Sequence, residues 1–298
     1  MILDETSVPS VGELRRSESM ARHTSWRVGG PADRYYVPAS VEDLGQFIGS
    51  LPEDEPIHWV GLGSNLLVRD GGVRGTVIAT HGVLSSLERL DNGHVRAEAG
   101  VPCAKLARRC VRWGLGSAEF FAGIPGTVGG ALAMNAGAFG GETWRHVASV
   151  ETMDRRGEVH HRGPDEYQVG YRSVVAPDEE WFLAAEFIFQ PDAGAAADDI
   201  KALLARRKAT QPIGLPSCGS VFRNPPGDHA ARLIESAGLK GHRVGGAQVS
   251  EKHANFIISS DGATAADIEQ LIEFVREAVD KAHGVRLHPE VRILGESA

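Results

Sequence analysis

The chain is 298 residues long, 42% apolar and 23% charged, with Lys+Arg 31 against Asp+Glu 39 and a net charge of −8. That length predicts about two domains, large enough to bury their cores without disulfide or metal staples, and the acidic balance argues against a general nucleic-acid binder. No run of about 18 apolar residues is present, and the start MILDETSVPSVGELRR lacks the charged-then-apolar pattern of a secretory signal, so a cytoplasmic protein without membrane insertion is expected.

Ser40 opens a capping-box-like start with Asp43 in place of the usual Glu. Leu44, Phe47, Ile48 and Leu51 follow at helical spacing, which predicts a helix. Residues 57–70, IHWVGLGSNLLVRD, read as strand, tight glycine turn and strand, and GTVIATHG (75–82) and HVRAEAG (94–100) as further short strands. Pro102 opens a second helix that reaches Trp113 and is closed by Gly114. Cys103 and Cys110 share one face of that helix as small core residues, and Cys218 lies in a Gly/Ser loop. An odd, sparse cysteine set without CxxC spacing predicts reduced thiols. WFLAAEFIFQ (181–190) reads as a buried strand, PDAGAAADD (191–199) as a linker, and 198–208 as a helix. Thr264 caps a last helix with Ile268, Leu271, Ile272, Val275 and Val279 on one face, ended by Gly284. VRLHPEVRIL (285–294) closes the chain as one strand or two short ones. Helices and strands mix without strict βαβ alternation, which predicts the α+β class. There is no HExxH and no His/Cys cluster, so no metal site is predicted, and His160-His161 reads as a surface pair.

Residues 123–141, GIPGTVGGALAMNAGAFGG, hold seven glycines and no charge, and GLGSN at 61–65 is a second glycine-rich turn. Glycine lets several backbone N–H groups converge on one anion without any net positive charge, and Ser64 and Asn65 add side-chain donors. Two phosphate-sized cradles suit a pyrophosphate-bearing cofactor. The alternative is tight turns that pack helix against strand; with Pro125 and Asn135 set among so many glycines, the ligand is the preferred reading. GxxxxGK[ST] is absent, GLGSNL is not GxGxxG, and no crossover helix follows it, so a dinucleotide here would not be held in the Rossmann manner.

Taken together, HTSWRVGGPA (23–32), GLGSNLLVRDGGVRGTVI (61–78), FFAGIPGTVGGALAMNAGAFGGE (120–142), GYRSV (170–174), PSCGSVFRNP (216–225), LIESAGLKGHRVGGAQVSEKHANFI (233–257) and HPEVRIL (288–294) resemble the UDP-N-acetylenolpyruvoylglucosamine reductase family, in that family's order. The resemblance implies a two-lobed FAD-binding domain of the vanillyl-alcohol oxidase type over 23–192. It also implies a C-terminal α+β substrate domain over 198–298, whose final strand returns to the active site, with residues 1–22 a variable tail. It implies non-covalent FAD held by Gly61, Gly63, Ser64, Asn65 and Leu66, and by Gly123, Ile124, Pro125, Gly126, Gly129, Gly130, Asn135, Ala136 and Gly137. NADPH would be the hydride donor, UDP-N-acetylmuramate the product for cell-wall synthesis, and small molecules the only partners.

Reducing an enolpyruvyl ether conjugated to a carboxylate puts negative charge on that carboxylate, so a cation and an acid should face it, and a hydroxyl must deliver a proton to carbon. The resemblance assigns Arg172 as the carboxylate clamp, Glu290 as the acid, which burial would keep protonated, and Ser220 as the proton donor. Outside these strings each would read as an ordinary ion-pair arginine, a strand-end charge and a turn serine. No GxSxG surrounds Ser220, which argues against a hydrolase. Tyr171, Arg207, Asn224 and Lys252 are candidates for the UDP moiety, although the run Arg206-Arg207-Lys208 reads equally well as a solvated helix end. Arg223 stands where Lys is usual and Asn255 where Gly is usual, the latter at a strand entry. The short separation of Arg172 from the basic run resembles the subfamily without an extra substrate-covering loop. A related flavin oxidase would lack Arg172, Ser220 and Glu290 as a set, and a nucleotide-sugar binding protein descended from the enzyme would not turn over.

Overall fold

The protein's structure, a computed structural model, describes residues 11–192 and 197–298. The first sheet is built by β1 (Glu13–Ser19), β2 (Pro31–Val37), β3 (Ile57–Val60) and β5 (Val73–Ala79), in the order β1-β2-β5-β3; β4 (Leu66–Val68) lies outside it. β2 and β3 both run parallel to β5, and α1 (Val41–Gly49) makes the crossover between them. Ser40 caps α1 through its side chain, accepting from Asp43 N at 3.1 Å. Asp43 in turn accepts from Tyr36 Oη at 2.6 Å and Ala39 N at 2.9 Å, which fixes the entry angle of the helix. β1 pairs antiparallel with β2 along its whole length. The expected tail over 1–22 is therefore corrected: residues 13–19 are an edge strand of this sheet, and residues 1–10 lie outside the described residues.

The second sheet is antiparallel throughout. Its five strands run in the spatial order Val159–Arg162, Val147–Asp154, Glu180–Phe187, β7 (Val95–Glu98) and β6 (Leu87–Arg89). α2 (Cys103–Arg112) packs Cys103, Leu106, Ala107 and Cys110 into the core of this lobe. There Phe121 meets Phe187 and Phe189 edge to face. Trp144 donates its indole N–H to Leu132 O, which anchors the short α3 (Val128–Met134). α4 (Ala197–Thr210) follows the linker, of which residues 193–196 lie outside the described residues.

In the C-terminal part the strands Arg243–Val244, Ala247–Val249 and Ile257–Ser259 form an antiparallel sheet with α5 (Ala230–Ser236) and α6 (Ala265–His283) packed into the same core. α6 starts at the predicted cap Thr264, which forms a capping box with Asp267, and ends at the predicted Gly284, which is left-handed. Two devices knit this part to the rest. Trp26, fully buried in the C-terminal core, donates its indole N–H to Ile257 O at 2.8 Å. The last strand, Arg292–Leu294, pairs in parallel with β4, and Arg69 and Asp70 just beyond β4 bind Glu269 and the first N–H groups of α6.

Candidate active site

The sequence places Tyr171 and Arg172 at the tip of a two-residue hairpin loop between the strands Gln168–Gly170 and Ser173–Val175. Arg172 has φ +52, a left-handed conformation that costs a non-glycine residue free energy and persists where its surroundings enforce it. The enforcing contacts are visible. The guanidinium donates to Asn135 O (3.2 Å) and Gly137 O (2.8 Å), and its Nε lies 3.2 Å from Glu290 Oε1. Asn135, itself left-handed at the end of α3, donates its side-chain N–H to Gly170 O and accepts from Trp144 N. Its buried amide thus holds the hairpin that carries Arg172, a different task from the cofactor contact expected of it.

Glu290 is set from two sides. Its N–H donates to Val221 O at 2.7 Å, and its carbonyl accepts from Asn65 Nδ2 at 3.1 Å. Asn65 O accepts from Arg292 N, and Leu66 pairs with Arg292, so the GLGSN loop and the end of the chain are one construction. Asn65 Nδ2 therefore serves Glu290. Burial raises the Glu290 carboxyl above the usual range, while the Arg172 and Arg223 cations pull it down less strongly. Ser220 is half-buried, one residue before the Val221 that binds Glu290, and follows Gly219 at φ +74. The structure thus brings the three predicted catalytic residues onto neighbouring segments.

The glycines divide into two groups. A Cβ on Gly63 would lie 1.9 Å from His23 O, on Gly61 2.4 Å from Thr127 Oγ1, on Gly123 2.5 Å from Phe139 Cε2, on Gly129 2.9 Å from Ala99 Cβ, and on Gly137 2.3 Å from Gly141 O. These five are required by chain packing against chain, the alternative set aside from the sequence. Ile124 and Ala136 are buried in the same core. Gly126 and Gly130 differ: a Cβ on Gly126 would meet Ser64 Oγ at 3.3 Å and Ile124 Cγ2 at 4.0 Å, and one on Gly130 would meet Thr127 Oγ1 at 3.8 Å. Ser64 and Pro125 share the wall of a cleft of ≈ 220 Å³ with Ser25, Arg207 and Gly219. Arg207 makes no ion pair among the described residues; it donates to Gln211 Oε1, and burial lowers its pKa. A cation without a carboxylate, facing the turns of two glycine loops, fits a diphosphate.

The four residues expected at the UDP moiety are not gathered in one place. Tyr171 and Asn224 line a larger cavity of ≈ 870 Å³ with Arg223, His229, Arg286 and His288. Asn224 Oδ1 accepts from Ala230 N at the start of α5. Arg207 lies in the smaller cleft, and Lys252 lines neither cavity: its ammonium donates to Lys208 O at the end of α4. Sequence reasoning undervalued Arg223. Its Nε is buried with no hydrogen-bond partner among the described residues, and its charge acts on Glu290; the RNP string marked the residue but not its neighbour. Arg286 and His288 lie in the stretch read as a closing strand, with nothing that marked them for a site. Asp154, Glu158 and His160 converge within 4.8 Å at a half-exposed turn, where Asp154 accepts from Arg156 N, Glu158 N and His160 Nε2 as an ordinary turn closure.

The FAD binding domain family matches residues 32–163, and with the C-terminal α+β part this defines an FAD-dependent oxidoreductase. The C-terminal domain of UDP-N-acetylenolpyruvoylglucosamine reductase matches residues 211–294. The chain belongs to the UDP-N-acetylenolpyruvoylglucosamine reductase family. It is 65% identical to the protein of that name from Alkalilimnicola ehrlichii over 96% of each chain. It is 60% identical to the one from Methylococcus capsulatus, over 98% of this chain and 96% of that one. The crystal structure of the Thermus caldophilus UDP-N-acetylenolpyruvylglucosamine reductase superposes with a TM-score of 0.80 at 32% identity, covering 95% of this chain and 99% of that one.

Proposed function

We propose that this protein reduces the enolpyruvyl ether of UDP-N-acetylglucosamine to UDP-N-acetylmuramate with NADPH, in the synthesis of peptidoglycan precursor. The observation that carries this reading is the Arg172–Glu290 pair held beside the segment of Ser220. Bound FAD would supply hydride transfer from NADPH to the terminal vinyl carbon of the substrate. Arg172, fixed by two backbone carbonyls, has the planar fork that grips the substrate carboxylate. Glu290, whose carboxyl burial pushes toward the protonated form, would in that form donate a hydrogen bond to that carboxylate as charge develops on it. Ser220 delivers a proton to the carbon bearing the ether oxygen and is reprotonated from water. The net reaction consumes one hydride and one proton and saturates the double bond. Ser64, Gly126, Gly130 and Arg207 would hold the diphosphate of a non-covalent FAD in the N-terminal part up to residue 192. The cavity at Tyr171 and Arg223 would take the sugar nucleotide against residues 198–298. No helix among the described residues is long and apolar enough to cross a membrane, and both proposed substrates are small molecules of the cytoplasm.

The test is stopped-flow absorbance with each half-reaction run alone. Ser220→Ala is expected to leave flavin reduction by NADPH nearly intact and to slow reoxidation by the enolpyruvyl sugar by a factor of about 10²–10⁴, the range of general acid catalysis. Ser220→Cys restores part of the rate. Equal slowing of both halves would remove Ser220 as the acid.

A further inference from the structure

Asn255 is 4% exposed, and everything it binds belongs to the chain just past Ser220. Phe222 N donates to its Oδ1 at 2.9 Å, and its Nδ2 donates to Phe222 O at 2.8 Å. Val221 N donates to its backbone carbonyl at 2.9 Å. On the opposite edge of the same stretch, Val221 O accepts from Glu290 N, and Arg223 N donates to His288 O. Residues 221–223 thus lie between the 288–290 segment and the turn that carries Asn255. One edge is bonded by the backbone of 288–290; the other is bonded by one carbonyl and one carboxamide. A side chain serves there because the 253–256 segment turns away: Phe256 N bonds back to His253 O, and Ser250 N to Phe256 O. The carboxamide supplies one donor and one acceptor in the arrangement of a missing peptide, and Phe222, 2% exposed, has no water to replace it.

We infer that Asn255 is a positioning residue for the proton transfer: its carboxamide locks the Phe222 peptide and so fixes Ser220 in register with Glu290. The inference rests on the reading of Ser220 as proton donor. Asn255 touches neither cavity wall, so it acts through the loop. Without the carboxamide, the Phe222 N–H and C=O are buried unpaired, the loop shifts to satisfy them, and the hydroxyl leaves its line to the substrate carbon. A misplacement of about 1 Å costs on the order of 10²-fold in rate.

The experiment is a double-mutant cycle on the FAD-loaded enzyme with Ser220→Ala and Asn255→Ala, in which the two half-reactions, flavin content and melting temperature are measured for each protein. The expected result is flavin reduction by NADPH within about threefold of wild type. Reoxidation by the enolpyruvyl sugar slows about 10–100-fold in Asn255→Ala, with a larger solvent deuterium effect on that step. The double variant should be no slower than Ser220→Ala, because a group that positions the serine has nothing left to position. Asn255→Asp, which keeps the acceptor and loses the donor, serves where the alanine variant does not fold, and is expected to fall between. If Ser220→Ala is slow but Asn255→Ala behaves as wild type, or the two losses add in full, the inference is overturned and the proton-donor reading stands. If Ser220→Ala is itself unaffected, that reading falls and the inference with it.

Discussion

Burial raises the Glu290 carboxyl, and Arg172 and Arg223 oppose it without cancelling it. A carboxyl whose folded pKa lies above its unfolded value favours the fold at low pH, and that contribution is lost as pH rises through the raised value. In the proposed mechanism the same ionisation would remove the hydrogen bond that Glu290 donates to the substrate. Reoxidation of the flavin by the enolpyruvyl sugar is therefore expected to decline on the alkaline side as Glu290 ionises. Glu290→Gln should lose that decline and run about 10²–10³-fold slower at neutral pH; superimposable pH profiles for the two proteins would place the titrating acid elsewhere. The three cysteines follow the opposite logic to a reactive thiol. Cys103, Cys110 and Cys218 are all buried, and burial pushes Cys110 and Cys218 up to about 12 and raises Cys103 as well. A thiol reagent near pH 8 should label none of them in the native protein and all three after unfolding. Rapid labelling of Cys218 in the folded enzyme would show that the loop before Ser220 opens.

Helices α1, α2 and α6 could be read from the chain because each carries a cap and one apolar stripe, both local signals. The strand order could not be read: β4 looks like the second arm of a hairpin with β3, yet it pairs with residues 292–294, and no local pattern names a partner that distant. Arg172, Ser220 and Glu290 were found through family strings, since an arginine, a serine and a glutamate have no periodicity. The glycine loops were legible as unusual, but their cause was mixed, because a glycine forced by a neighbouring backbone reads the same as one left open for a ligand. The two kinds separate by substitution. Gly129→Ala places a Cβ 2.9 Å from Ala99 Cβ and is expected to lower the melting temperature of the apoprotein. Gly130→Ala, in the same helix with no contact nearer than 3.8 Å, should stabilise the apoprotein by about 0.5–1 kcal/mol and weaken FAD binding measured by flavin fluorescence. If both variants keep wild-type FAD affinity, the N-terminus of α3 does not face the cofactor.

At the scale of the molecule, the N-terminal and C-terminal parts are hard to separate. Trp26 belongs to the segment between β1 and β2, yet its ring is buried with α6. Trp26→Ala should cost about 3–5 kcal/mol and melt the protein as one unit; two resolved calorimetric transitions in which only one moves would mean that the parts unfold independently. The pairing of β4 with the last strand has a further consequence for the chain as it is made. Asn65 and Glu290 are hydrogen-bonded across 225 positions of sequence, so the proposed catalytic site needs segments made far apart in time. Until those later segments have been made, the nascent polypeptide has an open β4 edge and a Trp26 with no core to enter, surfaces of the kind that chaperones recognise and that misassociate when crowded. The site thus matures only once residues 288–294 have joined β4, and a chain cut before Arg292 would leave β4 with no partner.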